Sequence, residues 1–165
     1  MTLKAEVTVA AIAERAGRYL VVEERASKRL VLNQPAGHLE PGETLLEAVI
    51  RETREETAHH FVPEAVTGIY LWTAPENRRS FLRVTFCGSV GDRDPGLALD
   101  RGIVRTHWLT REQLELHQPR LRSPLVLRCI DDYLAGVRLP MDVLSRIATE
   151  PDQHPEQVQT GACRG

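Results

Sequence analysis

The sequence predicts one mixed α/β domain of the α+β type, a β-sheet packed between helices. Two observations predict this class. Apolar runs of strand length lie on both sides of one amphipathic helix, and strands and helices do not alternate regularly along the chain. The 165 residues are 42% hydrophobic, which is enough for a single packed core. We expect the domain to span residues 1–148 and the polar residues 149–165 to form a loose tail.

The first elements predict a hairpin. Residues 7–13 are apolar and rich in β-branched and small side chains, as in a buried strand. A turn signal at residues 16–18 separates them from a second strand at residues 19–22. Residues 30–34 then form a short extended segment that leads into Pro35.

A helix follows the turn at Pro41-Gly42. Thr44 and Glu47 match a capping box, so the helix should start at Thr44, and Pro63 is the latest point at which it can end. Four side chains recur at helical spacing and should face the core: Leu46, Ile50, Thr53 and Thr57.

The second half of the chain is predicted to hold three more strands and two helices. The strands are residues 66–73, 81–90 and 103–109, with a polar loop at residues 74–80 and an exposed loop at residues 91–96. Thr110 should cap a helix that ends at Gln118. Ser123 should cap a second helix that runs through Leu134, with Pro124 at its first position.

Charge and cysteine usage limit the choice of partners. The net charge of −2 gives no general attraction to nucleic acid or to an anionic membrane. No apolar stretch approaches the roughly 20 residues that span a bilayer, and no basic segment precedes a long apolar run. The three cysteines, Cys87, Cys129 and Cys163, have no metal-ligand spacing and indicate reduced thiols. We therefore expect a cytoplasmic protein.

Three acidic residues of the predicted helix carry the chemistry. Glu52, Glu55 and Glu56 are three and four positions apart, so their carboxylates should converge and repel one another. A hard divalent cation would turn that repulsion into attraction, and magnesium binds carboxylates together with substrate phosphates. Taken alone, the cluster is more typical of a solvated, charged helix face.

The wider spacing favours the metal hypothesis. From Gly37 the pattern runs G-x5-E-x7-R-E-x2-E-E, through Glu43, Arg51 and the three glutamates. This pattern resembles the Nudix box of a hydrolase family. The chain departs from the box at Thr53, at Ala58 in place of a glycine, and at His59. If the position of Ala58 requires a left-handed conformation, that alanine is strained. The pair His59-His60 lacks a third ligand at suitable spacing, so we interpret it as a polar helix end.

The resemblance implies a Nudix fold and a role for each matched residue. Glu52, Glu55, Glu56 and the Gly37 carbonyl would hold Mg²⁺, for which Mn²⁺ is a possible substitute. Arg51 would orient the glutamates, Glu43 would brace the loop, and Glu56 or Glu55 would act as the base. A further acidic residue outside the box is expected in this family. Asp100 is the nearest candidate, although it is also compatible with an ordinary turn aspartate.

Further segments resemble the NudJ-type phosphatase branch of that family: NQPAGHLE from Asn33, WTAP from Trp72, FLR from Phe81 and LRSPLV from Leu121. The resemblance implies a monomeric, magnesium-dependent phosphatase. Its substrates would be nucleoside tri- and diphosphates and hydroxymethylpyrimidine diphosphate, with release of inorganic phosphate.

Five residues suit such a small phosphorylated substrate. Trp72 can stack on a ring, and Asn33 and Gln34 can bind its edge. Arg83 and Arg122 can hold phosphate. Two alternatives remain open, since Trp72 also suits the core and Arg122 also suits the surface ahead of a helix.

Two other functions are compatible with the sequence. A nucleoside diphosphate-sugar pyrophosphatase of the ADP-ribose type would differ in its products. A catalytically silent Nudix-fold binding module is the alternative outside enzymes. Loss of a box glutamate would favour that module, and all the box glutamates are present.

Overall fold

The computed structural model describes residues 2–26 and 28–144, and the predicted tail at residues 149–165 lies outside them. Within the described residues, strands and α-helices follow in this order: β1 (Ala5–Arg15), β2 (Arg18–Ala26), β3 (Arg29–Asn33), β4 (Ala36–His38), α1 (Leu45–Thr57), β5 (His59–Thr73), β6 (Ser80–Arg93), β7 (Ile103–Leu109), α2 (Arg111–Leu116) and α3 (Leu125–Leu134).

Strand β1 organises a mixed sheet. It pairs in parallel with β6 from Ala5 to Ala13 and antiparallel with the short β4. Its last two residues turn to β2 and form the predicted hairpin, in which Arg15 pairs with Arg18. Strands β3 and β7 flank β2, and β5 pairs antiparallel with β6 at the opposite edge. Because β1 pairs with β2 on one side and with β6 on the other, the strands form one continuous sheet.

Helices cover both faces of this sheet. Successive residues of a strand point to opposite faces, and β1 shows this alternation. Val9 and Ala11 face a cluster with Ala48 and Val49 of α1. Ile12 faces a second cluster, which includes Leu114 of α2 and Cys129 and Ile130 of α3. The predicted architecture, a mixed sheet between helices, is confirmed.

The predicted capping box starts α1. The Thr44 hydroxyl accepts the Glu47 N–H at 3.2 Å, and the Glu47 carboxylate accepts the Thr44 N–H at 2.7 Å. These bonds satisfy donors that the first helical turn leaves unpaired. The helix ends at Thr57 because Ala58 adopts a left-handed conformation with φ 58°. The family pattern has a glycine here, so the strain expected for Ala58 is present.

The prediction for His59-His60 as a helix end is wrong. The left-handed Ala58 redirects the chain, and His59 opens β5 opposite Arg93. His59 is buried, and its Nδ1 lies 2.8 Å from the Gly91 carbonyl oxygen. Strand β5 therefore starts seven positions before the predicted residue 66. Pro63 argued against this longer strand in the sequence. The proline is tolerated because β5 is an edge strand with register shifts nearby.

The later elements follow the predictions closely. Strand β7 has the predicted bounds, and the Thr110 hydroxyl accepts the Gln113 N–H at the start of α2. The Ser123 hydroxyl accepts the Leu125 N–H at 3.3 Å. The predicted start of α3 is nevertheless wrong by one residue, because Pro124 is its N-cap and the helix begins at Leu125; it ends at Leu134 as predicted. Strand β6 continues to Arg93, into the segment predicted as a loop. No helix in the described part of the chain is long and apolar enough to cross a membrane.

A buried carboxylate ties β2 to two later segments. Glu23 is 3% exposed. It accepts a 2.6 Å bond from Arg105 Nε on β7, and it contacts His107 and Arg120. These hydrogen bonds, that from Arg105 first, lower the pKa of Glu23 from 4.5 to about 2 against the opposing effect of burial. The ionised form therefore stabilises the folded state above pH 4.5, and this contribution is lost as the pH falls toward 2.

We predict that Glu23→Gln lowers the free energy of unfolding at pH 7 by about 2 kcal/mol, because three donors lose a charged acceptor. The variant should also lose less stability than the parent between pH 5 and pH 2.5, since it lacks the titrating group. Urea unfolding across this pH range measures both effects. The exposed Glu64 provides a matched control, Glu64→Gln. Parallel pH dependence of Glu23→Gln and the parent would contradict the role of Glu23.

Candidate active site

A cleft of about 450 Å³ lies between the loop that precedes α1, the strands β1 and β6, and the start of α3. This volume lies in the range of small-molecule sites. Its walls carry both signs of charge. Glu52, Glu56 and Asp100 lie among the acidic residues of the lining, and Arg83 and Arg122 among the basic ones.

Gly37 and Glu52 are in direct contact at one wall. A Cβ atom on Gly37 would lie 2.0 Å from the carboxyl carbon of Glu52. Only a residue without a side chain allows this approach, which explains the glycine of the motif in physical terms. Burial raises the pKa of Glu52, and the hydrogen bond from Arg51 acts in the opposite direction.

Arg51 connects the loop before α1 to the glutamates of α1. Its Nε and Nη2 donate to the two Glu43 carboxylate oxygens at 2.7 and 3.0 Å. Its Nη2 also donates to the His38 carbonyl at 3.0 Å, and its Nη1 donates to Glu52 at 2.9 Å and to Glu55 at 3.2 Å. Glu43 in turn accepts the Glu40 N–H at 2.9 Å. These contacts agree with the orienting role expected for Arg51 and the bracing role expected for Glu43.

Glu56 lies deeper in the cleft and is 7% exposed. One of its carboxylate oxygens accepts the Ala36 N–H at 2.9 Å. Burial raises the pKa of Glu56 to about 9, the Ala36 bond lowers it, and the charges of Glu24, Glu52 and Asp100 raise it further. Such a carboxyl group takes up protons readily at neutral pH, and a nearby positive charge would favour its ionised form.

Glu55 does not line the cleft. Its side chain is 48% exposed, and it borders a separate surface groove with Leu97 and Ala98. Consecutive helical residues are rotated by about 100°, so Glu55 and Glu56 flank Glu52 on opposite sides. Glu52 and Glu56 therefore line the cleft and Glu55 does not, although Arg51 Nη1 donates to both Glu52 and Glu55.

The structure brings three acidic residues from outside the box into the cleft: Glu24, Glu76 and Asp100. Asp100 lines the cleft, and its N–H donates to the Glu55 carbonyl at 2.8 Å, which ties its loop to α1. Glu24 of β2 also lines the cleft and accepts a 3.3 Å bond from Asn33. Sequence reasoning missed Glu24. The sequence does contain a signal for Glu24. It follows Glu23 directly after the predicted second strand. Because neighbouring strand residues face opposite sides, a strand that continues through both places the two carboxylates on different faces of the sheet.

Four of the five predicted substrate-binding residues line the cleft: Asn33, Trp72, Arg83 and Arg122. Trp72 is half-buried and stacks on Phe81, with ring centroids 5.8 Å apart and planes 23° from parallel. Trp72 thus both packs against the core and borders the cleft. Gln34 is the exception. It is 1% exposed, and its amide donates to the Val126 carbonyl at 2.8 Å, so it positions α3 beneath the cleft.

The donor set suits a hard cation bound together with a substrate. Glu52 and Glu56 offer carboxylate oxygens, and Gly37 is held against Glu52. Among residues 2–26 and 28–144, no group of three or more acidic, histidine or cysteine side chains is arranged to hold a metal ion. Magnesium commonly binds through one or two carboxylates and completes its shell with water and substrate phosphates. Two cleft carboxylates therefore fit magnesium.

Comparison with known proteins agrees with this geometry. The model of the NUDIX domain family matches residues 2–127. The chain is 38% identical over 141 residues to phosphatase NudJ of Escherichia coli strain K12 and to that of Shigella flexneri, which covers 86% of this chain and 91% of each relative. A solved NUDIX hydrolase from Nitrosomonas europaea is 49% identical with a TM-score of 0.85, covering 87% of this chain and 98% of that chain.

The fold and the cleft thus define a hydrolase that acts on acid anhydrides in small phosphorus-containing substrates. The chain belongs to the Nudix hydrolase family and is a homologue of the NudJ phosphatases.

We predict that Gly37→Ala lowers kcat by about 100-fold, because the added methyl group displaces the Glu52 carboxylate. Stability should change far less, as measured by thermal unfolding. Gly91→Ala is the matched control, since nothing lies within 4 Å of a Cβ at that position. Combining Gly37→Ala with Glu52→Asp, which shortens the clashing side chain, should restore part of the activity. Full activity of Gly37→Ala would contradict the requirement for this contact.

Proposed function

We propose that the protein is a magnesium-dependent phosphatase of nucleoside tri- and diphosphates and of hydroxymethylpyrimidine diphosphate, which releases inorganic phosphate. The observation that carries the proposal is the opposition of charges in one cleft, with Glu52 and Glu56 on α1 and Arg83 on β6. A phosphoanhydride needs cations on its oxygens and a base for the attacking water. The 38% identity to phosphatase NudJ supports phosphate release as the reaction.

Glu52 and Glu56 would hold the magnesium ion, with the Gly37 carbonyl as a further ligand. The ion would neutralise phosphate oxygens and increase the acidity of the attacking water. Glu55 lies outside the cleft and would contribute through Arg51, which contacts both Glu55 and Glu52. Manganese has similar oxygen-ligand chemistry and should substitute for magnesium.

Glu56 is the favoured general base. It is buried, burial raises its pKa to about 9, and among the described residues the Ala36 N–H donates to it. A cation bound beside it would favour its ionised form, and that carboxylate could accept a proton from the attacking water. Asp100 and Glu24 lie in the same cleft as further acids. Arg51 and Glu43 position the helix carboxylates and do not face the reacting atoms.

The substrate would lie along the strands. The Trp72–Phe81 pair offers a stacking surface for a base or pyrimidine ring, and Asn33 offers an amide for its edge. Arg83 and Arg122 would contact phosphate oxygens. Gln34 would act indirectly through its bond to the Val126 carbonyl of α3. We further propose a monomer in the cytoplasm that binds neither nucleic acid nor membrane, in keeping with the net charge of −2.

We predict that Glu56→Gln lowers kcat by at least about 1000-fold, because the amide can neither take the proton nor hold a cation. Glu55→Gln should cause a smaller loss, since its side chain lies outside the cleft. Steady-state kinetics with a nucleoside diphosphate measure both effects, and circular dichroism checks the fold. Equal losses for the two variants would argue against the division between cleft and surface glutamates.

We also predict that a chelator abolishes hydrolysis and that added Mg²⁺ or Mn²⁺ restores it. Ion chromatography should then show a nucleoside triphosphate converted to the diphosphate and inorganic phosphate. Release of pyrophosphate would rule out terminal phosphate removal. Preferential cleavage of a nucleotide sugar into nucleoside monophosphate and sugar phosphate would instead establish the pyrophosphatase alternative.

A further inference from the structure

Two side chains that line the cleft, those of Thr8 and Arg83, have buried donor atoms without hydrogen-bond partners in the described part of the chain. Thr8 of β1 and Arg83 of β6 are register neighbours in the parallel pair and are 5% and 8% exposed. Thr8 Oγ1, Arg83 Nε and Arg83 Nη1 have no hydrogen-bond partner among the described residues. Both side chains line the cleft. Paired strands lie about 5 Å apart, so these donors can reach the same ligand.

An unpaired guanidinium is costly to bury, because it loses hydration without gaining an opposite charge or an acceptor. Burial accordingly lowers the pKa of Arg83, although the charges of Glu24 and Glu56 partly offset this effect. An anion with several acceptor oxygens would satisfy the Nε and Nη1 donors together with the Thr8 hydroxyl. The arrangement is therefore suited to a ligand that enters the cleft.

The start of α3 adds positive potential at the same cleft. Arg122, Ser123 and Leu125 line it, and α3 is ten residues long. The first turn of a helix carries partial positive charge and attracts phosphate groups. The Ser123 oxygen accepts the Leu125 N–H, which leaves the hydroxyl proton available to donate. Glu24 lies 3.6 Å from Arg122 Nε and offsets part of that charge, so Arg83 is the principal cation.

We propose that Arg83, Thr8 and the N-terminal turn of α3 form a subsite for the free terminal phosphate of the substrate. Arg83 Nε and Nη1 provide three N–H bonds, and Thr8 provides one O–H bond. A terminal phosphoryl group has three unesterified oxygens and a charge near −2. A phosphate esterified on both sides has two such oxygens and a charge of −1. The number of donors and their positive charge match the terminal group better.

The stacked pair Trp72 and Phe81 lies where the ring of such a substrate could bind while its terminal phosphate contacts Arg83. Phe81 precedes Arg83 by two residues on β6, so both face the cleft with a spacing of about 7 Å along the strand. Trp72 is the register partner of Phe81. A ring stacked there and a phosphate at Arg83 fit a ring-bearing diphosphate with an unblocked end. The subsite thus deepens the proposed function and disfavours nucleotide sugars, in which both phosphates are esterified.

The test uses inorganic phosphate and the full chain in the presence of a chelator, so that binding does not depend on a metal. Isothermal titration calorimetry should detect phosphate binding to the parent chain. Arg83→Met should weaken it at least about tenfold and Thr8→Val about threefold, as expected for a charged and a neutral hydrogen bond. Arg128→Met removes an exposed arginine of α3 and serves as the control. No phosphate binding by the parent, or unchanged binding by Arg83→Met, would overturn the subsite.

A kinetic measurement separates this inference from the proposed function. The ratio of kcat/KM for a nucleoside diphosphate to that for a nucleotide sugar should fall at least about tenfold in Arg83→Met. Arg83→Lys, which keeps the charge and loses the planar fork, should lie between Arg83→Met and the parent. If the parent hydrolyses neither substrate, the proposed function fails while the calorimetric result still decides the subsite. An unchanged ratio in an active variant would refute terminal-phosphate recognition.

Discussion

The close contact between the Gly37 backbone and the Glu52 carboxylate is the constraint on which the site depends. It requires β4 to pass within van der Waals distance of α1, and only glycine permits that approach. The capping box of Thr44 sets where the helix begins. One turn after Glu52, the Glu56 carboxylate accepts the Ala36 N–H. Arg51 then links the loop before the helix to its carboxylates. The contact between Gly37 and Glu52 thereby determines which face of α1 points toward the cleft.

The cleft combines buried groups of opposite charge that are not paired with each other. Glu56 on one wall has a strongly raised pKa, and Arg83 on the floor has unpaired donors. Each would be more stable in water. The rest of the fold offsets this cost through two apolar clusters and through Glu23, whose three cationic or histidine partners satisfy a buried carboxylate completely. The contrast between Glu23 and Glu56 separates a structural carboxylate from the one that we propose to be reactive.

Local sequence signals predicted much of the fold, because they act over a few residues. The capping boxes at Thr44 and Thr110 and the strand at residues 103–109 have this origin. The start of β5 at His59 was missed, since Pro63 normally argues against a strand and the edge position that tolerates it is a tertiary property. Gln34 was predicted to bind substrate from its neighbours in the motif, whereas in the structure it follows the end of β3 and its amide donates to the Val126 carbonyl of α3.

The sequence by itself determined the reaction class. Glycine, arginine and glutamates at fixed spacing encode a loop and a helix face, and both depend only on local backbone geometry. Tertiary structure decided which of those groups share the cleft. It placed Glu55 beside a separate surface groove and brought Glu24 and Thr8 into the cleft from distant strands. The packing of β1 against β6 joined Thr8 to Arg83. Strand pairing is set by long-range burial, and no short stretch of sequence contains that information.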